Sequence, residues 1–215
     1  MTREVLAAEI QGARQALVST LQRLQPVEWD APSLCELWSV GDVVGHIVHQ
    51  YGLYKAPYRS ALAFAGAGLR VNRFLATEAK RVSAGRSPDD LVAAVEEARY
   101  EQTLLWKIYP WPQFALTEFV VHAQDIRRAL SISEVPSESQ IAIAARVFAR
   151  PARANPFRTK LPAVRFEATD ADWAYGDGPI ARGPLEAIVM VLAGRAQAVN
   201  DLSGAGVALL RQALS

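Results

Sequence analysis

Cysteine is nearly absent: Cys35 stands alone in 215 residues, which excludes an internal disulfide. Histidine is almost as scarce, with three in the chain. No apolar run approaches the ~20 residues that a bilayer-spanning helix needs, so no membrane anchor is expected. Neither sign of charge dominates, because 23 basic and 22 acidic residues leave a formal charge of +1. That balance removes the electrostatic case for nucleic acid or an anionic membrane surface and leaves a small molecule as the expected partner. The opening MTREVLAAEI has neither an apolar signal core nor a transit-peptide composition, from which a cytoplasmic protein is expected. No serine or cysteine has a recognisable base partner. Gly204-Ala205-Gly206 lacks the preceding strand and glycine spacing of a phosphate loop. What is plentiful is hydrophobicity, at 51%, enough for one large core or for one domain plus a small second one.

Taken in order, Val5, Leu6, Ile10, Ala13, Leu17, Leu21 and Leu24 recur at spacings of three and four, predicting a long amphipathic helix behind a Thr2 N-cap. Pro26 ends it, and Gln25 to Leu37 reads as a long loop around Trp29 and Pro32-Ser33. Ser39 restarts a helix, with Asp42 completing a capping box, Trp38 placed as its hydrophobic staple, and Val40, Val43, Val44, Ile47, Tyr51 and Tyr54 as its apolar stripe. Pro57, Gly66 and Gly68 interrupt the pattern beyond Tyr54, and Leu69 to Val82 is a weaker helical stretch ending near Gly85. Ser87-Pro88-Asp89-Asp90 is a strong helix start, and its pattern continues to Tyr109 before Pro110, Trp111 and Pro112 force a corner.

The spacing beyond that corner is the most informative in the chain. Over Leu116 to Arg128, Glu118, His122 and Asp125 stack along one stripe of a helix, on the flank of the apolar face formed by Leu116, Phe119, Val120, Ala123, Ile126 and Leu130. Such a stripe resembles half of a metal site, and His46, in a matching flank position on the Ser39 helix, is the candidate for the other half. Spacing alone favours a plainer reading, in which both histidines lie on solvated helix faces and Glu118 is an exposed acid.

Ser131 to Ser137 reads as a linker, dividing residues 1–133 from a smaller unit at 134–215. Ser139 to Arg150 is one more helix, followed by a Pro- and Arg-rich loop, Pro151 to Pro162. Ala163 to Ala168 alternates like a strand, and Asp172 to Tyr175 and Ile180 to Arg182, joined by Gly176-Asp177-Gly178-Pro179, complete an expected antiparallel sheet. Helices from Gly183-Pro184 to Leu192 and from Val207 to Leu214 close the chain.

The segments CELWSVGDVVGH and TEFVVHAQDI, in that order, resemble the DinB-like metal-binding bundle of the mycothiol-dependent maleylpyruvate isomerase family. FEATDADWAYGDGPIARGP, LAGR and LSGAGVALL look like the small C-terminal domain that accompanies the bundle in actinobacterial members. The resemblance covers nearly the whole chain. It implies a mainly α fold, an antiparallel four-helix bundle followed by a small α+β domain. It also implies a divalent metal, most often zinc, held by His46, Glu118 and His122, and mycothiol as the thiol cofactor. The implied chemistry is thiol addition to a cis enone, rotation about the resulting single bond, and elimination to the trans product, or else thiol transfer to another electrophile. Three protein ligands leave an open position, as in catalytic zinc sites. The resemblance reverses the balance for the histidines.

For other residues both readings stand. Asp42 and Asp125 either orient His46 and His122 or serve as a helix cap and a surface acid. His49 turns away toward the polar side, Cys35 reads as a small buried hydrophobe, and Trp38, Trp106 and Trp111 read as packing residues. Arg195 is expected either to bind a carboxylate of substrate or thiol, in a site between bundle and small domain, or simply to end a helix favourably. The chain is read as a monomer or homodimer. A non-catalytic metal- or ligand-binding protein and a purely structural bundle with solvated polar stripes are the alternatives to an enzyme.

Overall fold

The computed structural model describes residues 1–55, 71–103, 106, 112–150 and 159–215. Pro57, Gly66, Gly68, the Pro110–Trp111 corner and residues 151–158 of the Pro- and Arg-rich stretch lie outside them, as does the Tyr54 side chain. The chain divides into two compact units, Met1–Glu134 and Val135–Ser215.

In the first unit, helix α1 (Arg3–Leu21) starts where the Thr2 hydroxyl accepts from the Val5 amide at 3.3 Å, and it buries Leu6, Ile10, Ala13, Leu17 and Leu21. The stretch after Pro26 is not an open loop throughout. Pro26–Asp30 forms a 3-10 turn with a Gln25/Glu28 capping box and a buried Trp29, because a capping pair and a proline at the first position suffice for one turn. Helix α2 (Val40–Lys55) is capped reciprocally by Ser39 and Asp42, whose amide and side-chain bonds measure 3.1 and 3.2 Å. Helix α3 (Val71–Ala84) packs closely on α2, and Gly45 permits it: a Cβ there would stand 2.5 Å from the Ala79 carbonyl oxygen.

Helix α4 (Pro88–Glu96) has the expected Ser87/Asp90 capping box but stops well short of Tyr109. The break lets the Tyr100 ring go fully inside, where its hydroxyl donates to the Ile47 carbonyl at 3.0 Å. Thr103 holds it open by donating to the Tyr100 carbonyl at 2.7 Å and accepting from the Trp106 amide at 3.2 Å. Local side-chain bonding of this kind competes with helix continuation, and no glycine or proline announces it. Helix α5 (Gln113–Ala129) then packs against both α1 and α2.

The second unit contains helix α6 (Glu138–Phe148), capped by Ser137, then β1 (Arg165–Ala168), β2 (Ala174–Tyr175) and β3 (Ile180–Gly183), and finally α7 (Leu185–Leu192) and α8 (Val207–Leu214). The sheet order is β2-β1-β3, with β1 antiparallel to β2 but parallel to β3, which corrects the expectation of a fully antiparallel sheet. The cause is that the Gly176–Pro179 turn does not fold β3 back onto β2. It carries the chain to the free edge of β1, using positive φ at Gly176 (81°) and Gly178 (122°). Every residue of α7 is buried, and its first amide, on Leu185, bonds the Asp170 carboxylate at 2.8 Å. The whole is mainly α with a small α+β C-terminal part, as the sequence indicated.

Candidate metal centre

Helix α5 departs from an amphipathic surface helix. From Phe114 to Arg127 every residue but Glu118 is buried, so there is no solvated flank. Three walls produce this: α1, α2, and the Ala31–Trp38 segment, whose Leu34 amide donates to the Asp125 backbone carbonyl at 3.0 Å. His46 on α2 is 4% exposed and His122 on α5 is 8% exposed, which overturns both the half-solvated position and the plainer reading of surface histidines.

These two side chains meet on one oxygen. His46 Nε2 lies 3.3 Å from Glu118 Oε2, and His122 Nε2 lies 3.3 Å from the same atom. The helical spacing of Glu118 and His122 supplies one side, and the packing of α2 on α5 supplies the other. Ligating atoms of His46, Glu118 and His122 all fall within 4.8 Å of one another, close enough to share a metal ion. Burial acts to raise the Glu118 pKa, but the hydrogen bonds from His122 and His46 outweigh it and hold the carboxyl well below its usual range. Left unpaired in that interior, such a charge would cost on the order of several kcal/mol.

The far edge of His122 is fixed by Asp125, whose Oδ2 is 2.8 Å from Nδ1 and whose side chain is wholly buried. An ionised carboxylate only accepts, so Nδ1 carries a proton; in the metal-free protein Nε2 donates to Glu118, and loss of that second proton frees its lone pair for a metal. Burial pushes the His122 pKa down, but Asp125 first, then Cys35 and Glu118, push it well above the ordinary value. Of the two readings for Asp125, the surface acid is therefore excluded.

Asp42 takes its other role: it caps α2 and accepts from the Ser83 hydroxyl at 2.7 Å. His49 is not on a polar side but half-buried against α3, with Nδ1 3.7 Å from Glu78, and burial lowers its pKa. Cys35 is half-buried, and its thiol donates to Asp125 Oδ2 at 3.0 Å, a contact that no sequence spacing could reveal across 90 residues. Trp38 does more than pack at a helix entry. Its ring centroid lies 5.0 Å from that of His46 and 6.5 Å from that of His122, forming a half-exposed cover over the histidines. The preceding Leu37 adopts a positive φ of 66°, a strained conformation for leucine that turns the chain into this cover. Arg195 belongs to the second unit, where its amide bonds the Met190 carbonyl at 2.9 Å and its guanidinium donates to the Ala193 carbonyl at 2.6 Å.

Residues 10–107 match the family model of the mycothiol maleylpyruvate isomerase N-terminal domain. The match includes His46 and Cys35 and stops before Glu118 and His122. Among solved structures, a mycothiol-dependent maleylpyruvate isomerase is similar at 14% identity and TM-score 0.59, and a histidine-to-alanine variant of such an enzyme at 13% identity and TM-score 0.61. Each likeness covers 95% of this chain and 93% of the other, which shows a shared fold along the whole length. No curated protein matches the chain. Residues 10–107 thus resemble the N-terminal domain of the mycothiol-dependent maleylpyruvate isomerase family, and the chain as a whole shares the fold of the solved isomerases.

Proposed function

We propose that this protein is a metal- and thiol-dependent enzyme of the mycothiol-dependent maleylpyruvate isomerase type, acting as an isomerase or thiol transferase on a small electrophilic substrate. The observation that carries the reading is the convergence of His46 Nε2 and His122 Nε2 on Glu118 Oε2 at 3.3 Å each, inside a helical core. Two imidazoles and a carboxylate form a donor set that suits zinc and leaves a coordination position open. Bound there, a divalent metal supplies Lewis acidity and favours the thiolate form of an incoming thiol.

The chain's own residues have separable tasks. His46, Glu118 and His122 would hold the metal, with Glu118 contributing charge compensation. Asp125 keeps the His122 proton on Nδ1, so that Nε2 remains a ligand. Trp38 covers the histidine rings and limits access of water to them. Arg195 is assigned to the carboxylate of an anionic substrate or of the thiol, for which its planar guanidinium is suited.

Calorimetric titration of metal-loaded protein with mycothiol tests this directly. Binding is expected, together with turnover of a maleylpyruvate-like enone or another electrophile that stops when the thiol is omitted. Arg195→Ala is expected to raise the Michaelis constant for an anionic substrate with metal content unchanged. Absence of thiol binding would sink the enzyme reading and leave a metal-binding protein.

A further inference from the structure

We propose a second cation site on the opposite edge of the His122 ring, formed by Cys35 Sγ, Asp125 Oδ2 and His122 Nδ1, and suited to a thiophilic divalent ion such as Cd2+ or Hg2+. It goes beyond the reading above, because it uses Nδ1 rather than Nε2 and stands whether or not the first centre performs thiol chemistry.

The three donors come from two elements held together by the Leu34 amide to Asp125 carbonyl bond. Cys35 Sγ is 3.0 Å from Asp125 Oδ2 and 4.0 Å from His122 Nδ1, and the latter is 2.8 Å from Asp125 Oδ2. Bonds of zinc length, ~2.0 Å to nitrogen or oxygen and ~2.3 Å to sulfur, place tetrahedral donors roughly 3.3–3.6 Å apart, and the larger Cd2+ and Hg2+ set them somewhat wider. The triangle therefore needs its Asp125 corner to open by roughly half an ångström or more, while the sulfur already stands far enough from Nδ1. Its composition also decides the ion. One oxygen is too few for Mg2+ or Ca2+, whereas thiolate and imidazole favour soft ions. A thiolate and a carboxylate together neutralise a divalent charge.

Proton balance makes the two sites exclusive. Binding releases the Cys35 thiol proton to solvent. The proton that His122 Nδ1 donates to Asp125 in the metal-free protein is released as well, and the ring's other proton stays on Nε2, where Glu118 Oε2 at 3.3 Å accepts it. Nε2 is then a donor and no longer a ligand. One imidazole thus belongs either to the His46–Glu118 set or to the Cys35–Asp125 set.

The test titrates the metal-free full-length protein with Cd2+, reading the ultraviolet thiolate-to-metal charge-transfer band. Equimolar Cd2+ is expected to produce the band in the wild type and in His46→Ala, which lacks a ligand of the first set. Asp125→Asn and His122→Ala are expected to weaken it at least about tenfold. Cadmium-113 resonance of the wild type gives a readout that does not depend on any variant folding, and a donor set of one sulfur with nitrogen and oxygen is expected. The proposal is overturned if equimolar Cd2+ gives no band, if the resonance reports nitrogen and oxygen alone, or if Asp125→Asn and His122→Ala bind as tightly as wild type, which would mean a solitary thiol. Loss of the band in His46→Ala would also overturn it, whereas a wild type that binds zinc but shows no cadmium–thiolate band leaves the first centre standing.

Discussion

The two units of this chain bury charge to different degrees. In the first, His46, His122, Asp125, Arg127 and Arg14 are all buried, and α5 is enclosed on every side while carrying most of them. In the second, the core gathers around α7, whose buried residues are apolar but for Glu186, and the prominent charge cluster, Arg165–Glu167–Arg182, lies on part-exposed strand faces. Burying ionisable groups is expensive unless they are mutually satisfied, so the first unit gives up stability at His46–Glu118–His122–Asp125 that a plain core would retain. The difference suggests a division of labour, with chemistry in the first unit and inexpensive packing in the second.

The strongest way to break that comparison is to remove a ligand. Wild-type protein is expected to carry about one divalent metal per chain, and His46→Ala or His122→Ala to carry essentially none, as measured by elemental analysis. Unchanged metal content in both variants would show that the buried cluster is merely structural. The counterpart in the second unit is Ile188→Ala. Ile188 is fully buried in α7, so the substitution should cost about 2–5 kcal/mol in denaturant unfolding while metal per folded chain stays at the wild-type value.

The same contrast governs how much could be read from sequence. The second unit was accessible because its signals are local: alternation at Val164, Phe166 and Ala168, glycines in the turn, an apolar run into Leu192. Only the direction of β3 escaped, since strand pairing depends on where the turn sends the chain. In the first unit, caps at Thr2, Ser39 and Ser87 were equally plain, but three features were not. Helix α4 ends at Glu96, and Thr103 beyond it holds the break through side-chain bonds that periodicity does not register. The flank assigned to His46 and His122 is interior because a third wall, the Ala31–Trp38 segment, closes over α5. Cys35 meets Asp125 only through that closure. Glu118 and His122 were visible as a pair because they lie one helical turn apart and His46 as their candidate partner from its matching flank position, whereas the ligand role of all three depended on family resemblance.

A finer probe of the buried cluster is Asp125→Asn, which keeps the shape of the side chain and removes its charge. Metal affinity is expected to fall about 10–100-fold, read by competition with a chelator, because His122 exchanges a charged acceptor that raises its basicity and fixes its tautomer for a neutral, weaker one. The pH dependence has a definite sign. The raised His122 pKa in the metal-free protein means that a proton competes with the metal well above pH 6.5, so affinity should rise with pH across that range. In the metal-free protein the same group contributes stability that is complete below pH 6.5 and is lost as pH rises through its folded pKa. Metal affinity independent of pH would contradict this arrangement of protons.

The smallest effect is expected where the second unit displays its charges. Arg182 bonds Glu167 at 2.6 Å and Arg165 bonds it from the other side at 2.9 Å, a geometry that looks important on distance alone. The two arginines reach well into solvent, however, with Arg182 53% and Arg165 43% exposed, and Glu167 between them is half-buried. In water their attraction is weakened by the high dielectric and by salt, and ordering two long arginines costs entropy. Arg182→Ala should therefore leave the unfolding midpoint nearly unchanged, and the slight difference from wild type should shrink further in high salt. A loss approaching that of Ile188→Ala, and insensitive to salt, would mean that β1 and β3 depend on this cluster for their parallel register. The second unit would then rely on specific charge placement, and the division of labour between the units would fail.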